Sequence, residues 1–212
     1  MSKGSKGLDK KKKLIICISA VVLLLLIILL LFLVIRNFMN KEEVSTSPVL
    51  TIVSPQRIDP KESDELILDV TVSSFGDASY PAASMSISFD PSRLEFLGVE
   101  EGNVLVRSNT GDVTGKLPEW SCNPAQCNKT GKINIMYLDV TGGSNAFSRE
   151  LLSEDDNVVL RLKFRLRGSV RDGDVYDLIF EDAVFAASDE AQSLAMTTGT
   201  LEVRNGKLVI GE

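Results

Sequence analysis

Ser84–Val99 reads SMSISFDPSRLEFLGV. The first half alternates serine with large apolar residues, the two-residue period of a half-buried strand. Asp90-Pro91 then stops it, because proline has no amide proton for a ladder and fixes its own φ. A second apolar run starts at Leu94. The stretch is therefore two strands joined at a tight turn. One face of the first strand belongs to a core, and the other carries only Ser84, Ser86 and Ser88.

The same alternation recurs along the chain. ELILDVTVS (65–73) places Leu66, Leu68, Val70 and Val72 on one face. NVVLRLKFRLR (157–167) places Val158, Leu160, Leu162, Phe164 and Leu166 inward, with Val159, Arg161, Lys163, Arg165 and Arg167 outward. LEVRNGKLVI (201–210) carries Asn-Gly between two alternating arms, a strong hairpin signal. Further strands are expected at 49–53, 82–89, 94–99, 104–107, 132–139 and 176–185, and only AFSRELL (146–152) suggests a helical turn. About nine short strands without a long helical period predict an all-β fold of two packed antiparallel sheets.

The N-terminal quarter is of another kind. Residues 1–13 carry six lysines against one aspartate, and residues 14–35, LIICISAVVLLLLIILLLFLVI, carry no charge over 22 positions. As a helix that run would span about 33 Å, enough for a hydrocarbon core of roughly 30 Å. It is too long for a cleaved signal peptide and lacks the small-x-small cleavage site. The expected organisation is a basic cytoplasmic tail (1–13), a transmembrane signal anchor (14–35), a polar linker (36–47) and an outer domain (48–212). Lysine ahead of the anchor places the N-terminus in the cytoplasm and the C-terminal domain outside the cell. Subtracting the tail's +5 from the chain's −6 leaves −11 for the rest, which gives no support for nucleic-acid binding.

There is no histidine, which removes Ser-His-Asp and Cys-His catalysis and the usual zinc sites together. The acidic clusters sit in apparent surface loops, and no metal site is expected. Asp172, Asp174 and Asp177 lack the spacing of an EF-hand loop, and a turn explains them without an ion. Cys122 and Cys127 are the only cysteines outside the apolar run. On the outer side of a membrane a local disulfide is the economical expectation, and in a reducing habitat two free thiols. Asn128-Lys129-Thr130 fits the glycosylation pattern. The stripe Arg161, Lys163, Arg165 and Arg167 is either a basic patch for anionic ligands or a solvated face paired with Asp69 or Glu95.

Three stretches carry a family resemblance. SFDPSRLEFLGVEEG (88–102) resembles the signature of cohesin domains, in which an aromatic-Asp-Pro turn is followed by Leu-Glu, a strand and a glycine. KINIMYLD (132–139) before Gly142-Gly143 is similar to the family's sixth strand and its loop. DLIFEDAVFA (177–186), with Asp189 after it, resembles the late Phe-x-x-x-x-Phe-Ala-Asp segment. The resemblance spans about residues 48–211. It implies a nine-stranded antiparallel β-sandwich with jelly-roll topology, no catalytic activity and no cofactor. The implied partner is a dockerin, a small module that itself carries the calcium. By the same resemblance the binding face is formed by strands three, five, six and eight. Its expected contacts are Ala82, Ser84, Ser86 and Ser88; Trp120 near strand five; Ile135, Tyr137 and Asp139 on strand six; Val140, Gly142 and Gly143 in the loop; and Leu194 and Met196 beyond Phe185. Well-known cohesins carry Asn or Asp at the positions of Ala82 and Ser84.

Strand six agrees on physical grounds. If Met136 and Leu138 fill the core, Ile133, Ile135 and Tyr137 form an apolar outer face, either a contact surface or one covered by the 141–157 loop. The expected function is a membrane-anchored, non-catalytic module that recruits a dockerin-bearing protein to the outer cell surface, with polysaccharide reached only through that partner. The alternatives are a structural or envelope-interaction domain and a carbohydrate-binding module using Trp120, Tyr137, Tyr80 and Tyr176.

Overall fold

In the computed structural model the described residues are 47–55, 57–59, 65–107, 115–141, 145–188 and 193–211. All of them belong to one compact unit, Ser47–Glu212. The basic tail, the apolar run and nearly all of the linker lie outside the described residues. Among those described, no helix is long and apolar enough to cross a membrane.

The alternating runs become nine strands, while the strand expected at 104–107 forms only isolated bridges from Val106 to Lys116 and from Arg107 to Ala146: β1 (Val49–Ile52), β2 (Leu66–Val72), β3 (Ala82–Ser88), β4 (Leu94–Glu101), β5 (Lys132–Leu138), β6 (Val158–Leu166), β7 (Val175–Ala186), β8 (Glu202–Arg204) and β9 (Gly206–Val209). They form two sheets, in the orders β4-β6-β2-β1-β8 and β5-β3-β7-β9. The all-β sandwich is thus as expected, with one departure: β8 pairs with β1 in parallel. Every other ladder is antiparallel.

The core is what the two inner faces bring together. Leu50, Leu68, Val70, Phe96, Leu162 and Phe164 come from one sheet, and Met85, Ile87, Ile133, Leu178 and Phe185 from the other. Burying each contributes roughly 1.5–3 kcal/mol. At one end Phe89, Phe96 and Phe164 meet edge-on or tilted. Toward the other, Phe147 is enclosed by Phe75, Trp120, Tyr137 and Phe185.

The Asp-Pro turn is a corner between the sheets, since β3 lies inside one and β4 at the edge of the other. Asp90 holds it by accepting hydrogen bonds from Ser92 N (2.9 Å) and Ser92 Oγ (2.6 Å). Those bonds hold its carboxyl below the usual range.

Asn205-Gly206 does not make the expected hairpin. β8 and β9 belong to different sheets, so the dipeptide is a second corner. Neither residue has the positive φ that a type I′ turn requires. The glycine serves close approach instead: a Cβ on Gly206 would lie 2.5 Å from Ile52 Cγ2. Asn205 Oδ1 accepts from Phe180 N (2.9 Å) and fastens the corner.

A short helix, α1 (Pro124–Thr130), was not foreseen. Its signals are all in NPAQCNKTG: Asn123 caps it by accepting from Gln126 N, Pro124 stands at its start, and Gly131 ends it in the left-handed region. Asn128 does not fit a glycan acceptor. Its amide nitrogen donates to both Phe96 O (2.7 Å) and Pro124 O (2.9 Å), while its oxygen accepts from Phe96 N (2.8 Å). The side chain acts as a strand partner where the β4–β6 register shifts between Phe96 and Gly98. The expected Cys122–Cys127 bridge is not formed: both are free thiols, Cys127 buried and Cys122 half-buried. AFSRELL contributes a single 3₁₀ turn, Arg149–Leu151.

On β6 the basic stripe is paired. Arg161 meets Asp69, Lys163 meets Glu65 and Glu100, Arg165 meets Glu65 and Glu95, and Arg167 meets Glu95. It is a solvated, neutralised face. Val159, expected outward, is buried at the start of the strand, where the indole N–H of Trp120 donates to its carbonyl (3.2 Å).

Candidate partner-binding face

β3 is the centre strand of the β5-β3-β7 face, and its serines point outward as expected while Ala83, Met85 and Ile87 point into the core. Direct cross-strand partners in an antiparallel pair share a face. β5 therefore inherits its orientation from β3: Ala83 faces Tyr137, Met85 faces Ile135 and Ile87 faces Ile133. All three β5 residues are buried, at 4 %, 2 % and 0 % exposure.

This inverts the expected orientation of the strand. Ile135 and Tyr137 are core residues and not contacts, and the exposed apolar residues are Met136 and Leu138, at 52 % and 57 %. The deciding signal was present in KINIMYL. Lys132 and Asn134 share parity with Met136 and Leu138, and two polar residues at the start of a strand mark its solvent side. Tyr137 is locked inward by its hydroxyl, which donates to Asn145 O (2.8 Å), and by ring contacts with Phe147 and Trp120. Burial, with help from Asp139 and Glu119, pushes its phenol up to about 12.

The remaining expected contacts divide in the same way. Trp120 is half-buried against Phe147. Its neighbour Ser121 pairs with Met136 through two backbone hydrogen bonds and extends the face beyond β5, so a fourth strand position does fall beside Trp120. Met196 is buried at 2 %: it pairs with Phe185, and its sulfur accepts from Gly76 N (3.4 Å), so it is core. Leu194 is exposed, and its carbonyl accepts from Tyr80 Oη–H (3.2 Å). Gly142 and Gly143 lie outside the described residues. Asp139 faces its own loop, accepting from Thr141 N, Thr141 Oγ1, Asn145 N and Asn145 Nδ2. Burial pushes that carboxyl up, yet these donors outweigh it and hold it far below the usual range. Asp139 thus positions the loop whose next residue, Val140, is 88 % exposed.

The face is a trough. Its floor is the small side chains of β3, and its walls are β5 on one side and β7 on the other. Ala82 lies between Leu138 and Ala186, Ser84 between Met136 and Val184, Ser86 between Asn134 and Asp182, and Ser88 between Lys132 and Ile179. One end is apolar and the other charged, with Lys132 Nζ 2.7 Å from Glu181 Oε2 across the serines. A groove of about 700 Å³ opens over Ser84, Ser86, Ser121 and Asn134. Among the described residues, no large aromatic side chain is exposed on this face or elsewhere, so the stacking platform of a sugar-binding site is not assembled: Tyr80, Tyr137 and Tyr176 are buried. Nor do the described residues group carboxylates or cysteines to hold a metal ion.

No curated protein matches this chain. Solved structures do match in fold. The sixth cohesin of scaffoldin B from Acetivibrio cellulolyticus, solved with a Cel5 dockerin mutant, has a TM-score of 0.57 at 17 % identity, over 78 % of this chain and all of that one. The OlpA cohesin of Clostridium thermocellum, solved with the dockerin Doc918, has a TM-score of 0.57 at 18 % identity, over 78 % and 100 %. A non-cellulosomal cohesin from the archaeon Archaeoglobus fulgidus has a TM-score of 0.50 at 11 % identity, over 79 % and 93 %. The family model of the Cohesin domain matches residues 53–203, most of the chain. With its sandwich, its Asp-Pro corner and that match together, the chain belongs to the cohesin family of non-catalytic, cofactor-free protein-binding modules.

Proposed function

We propose that this protein is a membrane-anchored cohesin that holds a dockerin-bearing protein at the outer cell surface. The observation that carries the docking part is the trough on β5-β3-β7. It exposes Met136, Leu138 and Val140 at one end, on a fold whose solved relatives include complexes with dockerins. A strand apolar on both faces, with one face uncovered, is a contact surface. The anchoring part is supported by the uncharged run 14–35 and the six lysines ahead of it. Calcium in this account belongs to the partner.

The test is calorimetric titration of the full chain, in detergent, with a panel of dockerins. Binding that disappears with a chelator and weakens at least about tenfold in Ser84→Arg supports docking, because an arginine would fill the trough floor. Affinity unchanged in Ser84→Arg contradicts it. For the anchor, the chain should stay with membranes through alkaline washing, and protease added to whole cells should remove the C-terminal domain.

A second reading, a surface domain that binds no dockerin, is favoured by one observation. Ala82 has no side-chain polar group and Ser84 only a short hydroxyl, where Asn or Asp would reach further toward a partner. Failure of every dockerin to bind would select it.

A further inference from the structure

The trough is not open along its whole length. The β3–β7 register shifts between Ser86 and Ile87, pairing Ser86 with Asp182 but Ile87 with Phe180. Glu181 is the residue left over, the extra member of a β-bulge with no partner on β3. It and Asp182 both face solvent, while Phe180 and Ala183 on either side are buried. Set outside the ladder, Glu181 reaches over β3 to Lys132 on β5, with Oε2 2.7 Å from Nζ. β3 lies between those two strands, so their backbones stand two strand spacings, about 9.6 Å, apart. The ion pair therefore bridges the trough above its serine floor, at the level of Ser86 and Ser88.

A hollow opens on each side of this bridge. Toward the apolar end is the groove of about 700 Å³ over Ser84, Ser86, Asn134 and Asp182. Beyond it a second hollow of about 520 Å³ is bounded by Ser88, Ile179, Asp177 and Arg93. Ser86 and Ser88 are two positions apart on one strand, about 7 Å, so the floor runs on from one hollow into the other. It is the Lys132–Glu181 pair that stands between them. Both side chains stay in contact with water, at 53 % and 36 % exposure. Such a pair holds weakly and is screened by salt.

From this we infer that Lys132 and Glu181 form a strap across the docking face, one that a partner must part before it lies along the whole of β3. The inference rests on the docking reading above and adds its regulation. Low ionic strength closes the strap and shortens the usable face; high ionic strength opens it and joins the two hollows into one groove. The pair thus opposes binding, whereas a pair that touched the partner would favour it.

The test titrates the full chain, in detergent, with the tightest-binding calcium-loaded member of the dockerin panel. Lys132→Met combined with Glu181→Gln removes the strap without changing net charge. At low salt it should tighten binding by about two- to fivefold, the worth of one exposed pair. The gap from the unaltered chain should close as salt rises to about 0.5 M. Lys132→Glu combined with Glu181→Lys rebuilds the strap in reverse and should return the affinity of the unaltered chain. Weaker or unchanged binding in the neutral variant overturns the strap, as does a reversed variant that binds unlike the unaltered chain. In either case Ser84→Arg, if it still weakens the complex, leaves docking standing. Binding to no dockerin by any of these proteins would overturn the docking reading and the strap with it.

Discussion

Tyr137→Phe separates a core residue from a contact residue with the loss of one oxygen. The phenol oxygen donates to Asn145 O at 2.8 Å, and the ring lies within 5.1 Å of Phe147 and 5.8 Å of Trp120, centroid to centroid. Phenylalanine keeps the ring packing and leaves a buried carbonyl without its donor. Such a group costs about 1–3 kcal/mol. For a domain of roughly 160 residues that corresponds to a fall in Tm of about 2–12 °C. Thermal denaturation by circular dichroism reads the stability, and titration with a bound dockerin reads the function. The fall in Tm is expected with affinity held within about twofold. A variant that keeps its Tm and loses its partner would refute the orientation of β5 and everything built on it.

Asn128→Ala removes the hydrogen bonds at the β4 bulge and should destabilise by about 2–4 kcal/mol in chemical denaturation, and mass spectrometry of the wild type purified from its own cells should find Asn128 unmodified. Gly206→Ala sets a methyl against Ile52, and the sheet-crossing corner should lose about 1–3 kcal/mol in the same assay. Asp139 titrates lower in the folded state than its ordinary 3.8. Its contribution is therefore complete above that value and is lost as pH falls through the lower folded one. Amide exchange at Thr141 and Asn145 should remain protected at pH 4 and open only in stronger acid, whereas opening at pH 5 would contradict the hydrogen-bonded loop.

The alternating runs were legible because a period of two is a local property. ELILDVTVS and SMSISF each place one parity in the core, and the structure agrees. KINIMYL was harder, because both parities are apolar from Ile135 onward. The pairing with β3 settles the face, although Lys132 and Asn134 already marked the outer parity. Asn-Gly misled for a different reason. A hairpin signal describes the turn and not which sheet its arms join, and it is the pairing of β8 with β1 and of β9 with β7 that shows the chain changing sheets. Helix α1 had its cap, its proline and its terminal glycine in plain view, and was missed because seven residues show no helical period. Asp182 could not be found from sequence, since its exposure depends on a bulge against β3.

The central claim is that β5-β3-β7 is the docking face, with Met136 and Leu138 at its apolar end. The direct measurement is the affinity of a calcium-loaded dockerin for Met136→Asp combined with Leu138→Asp, set beside its affinity for the unaltered chain. Both residues are exposed, so the Tm should move little, while binding should weaken by well over tenfold as two carboxylates are forced against the partner's apolar surface. Equal affinity for the two proteins would place the partner elsewhere on the molecule and contradict the account.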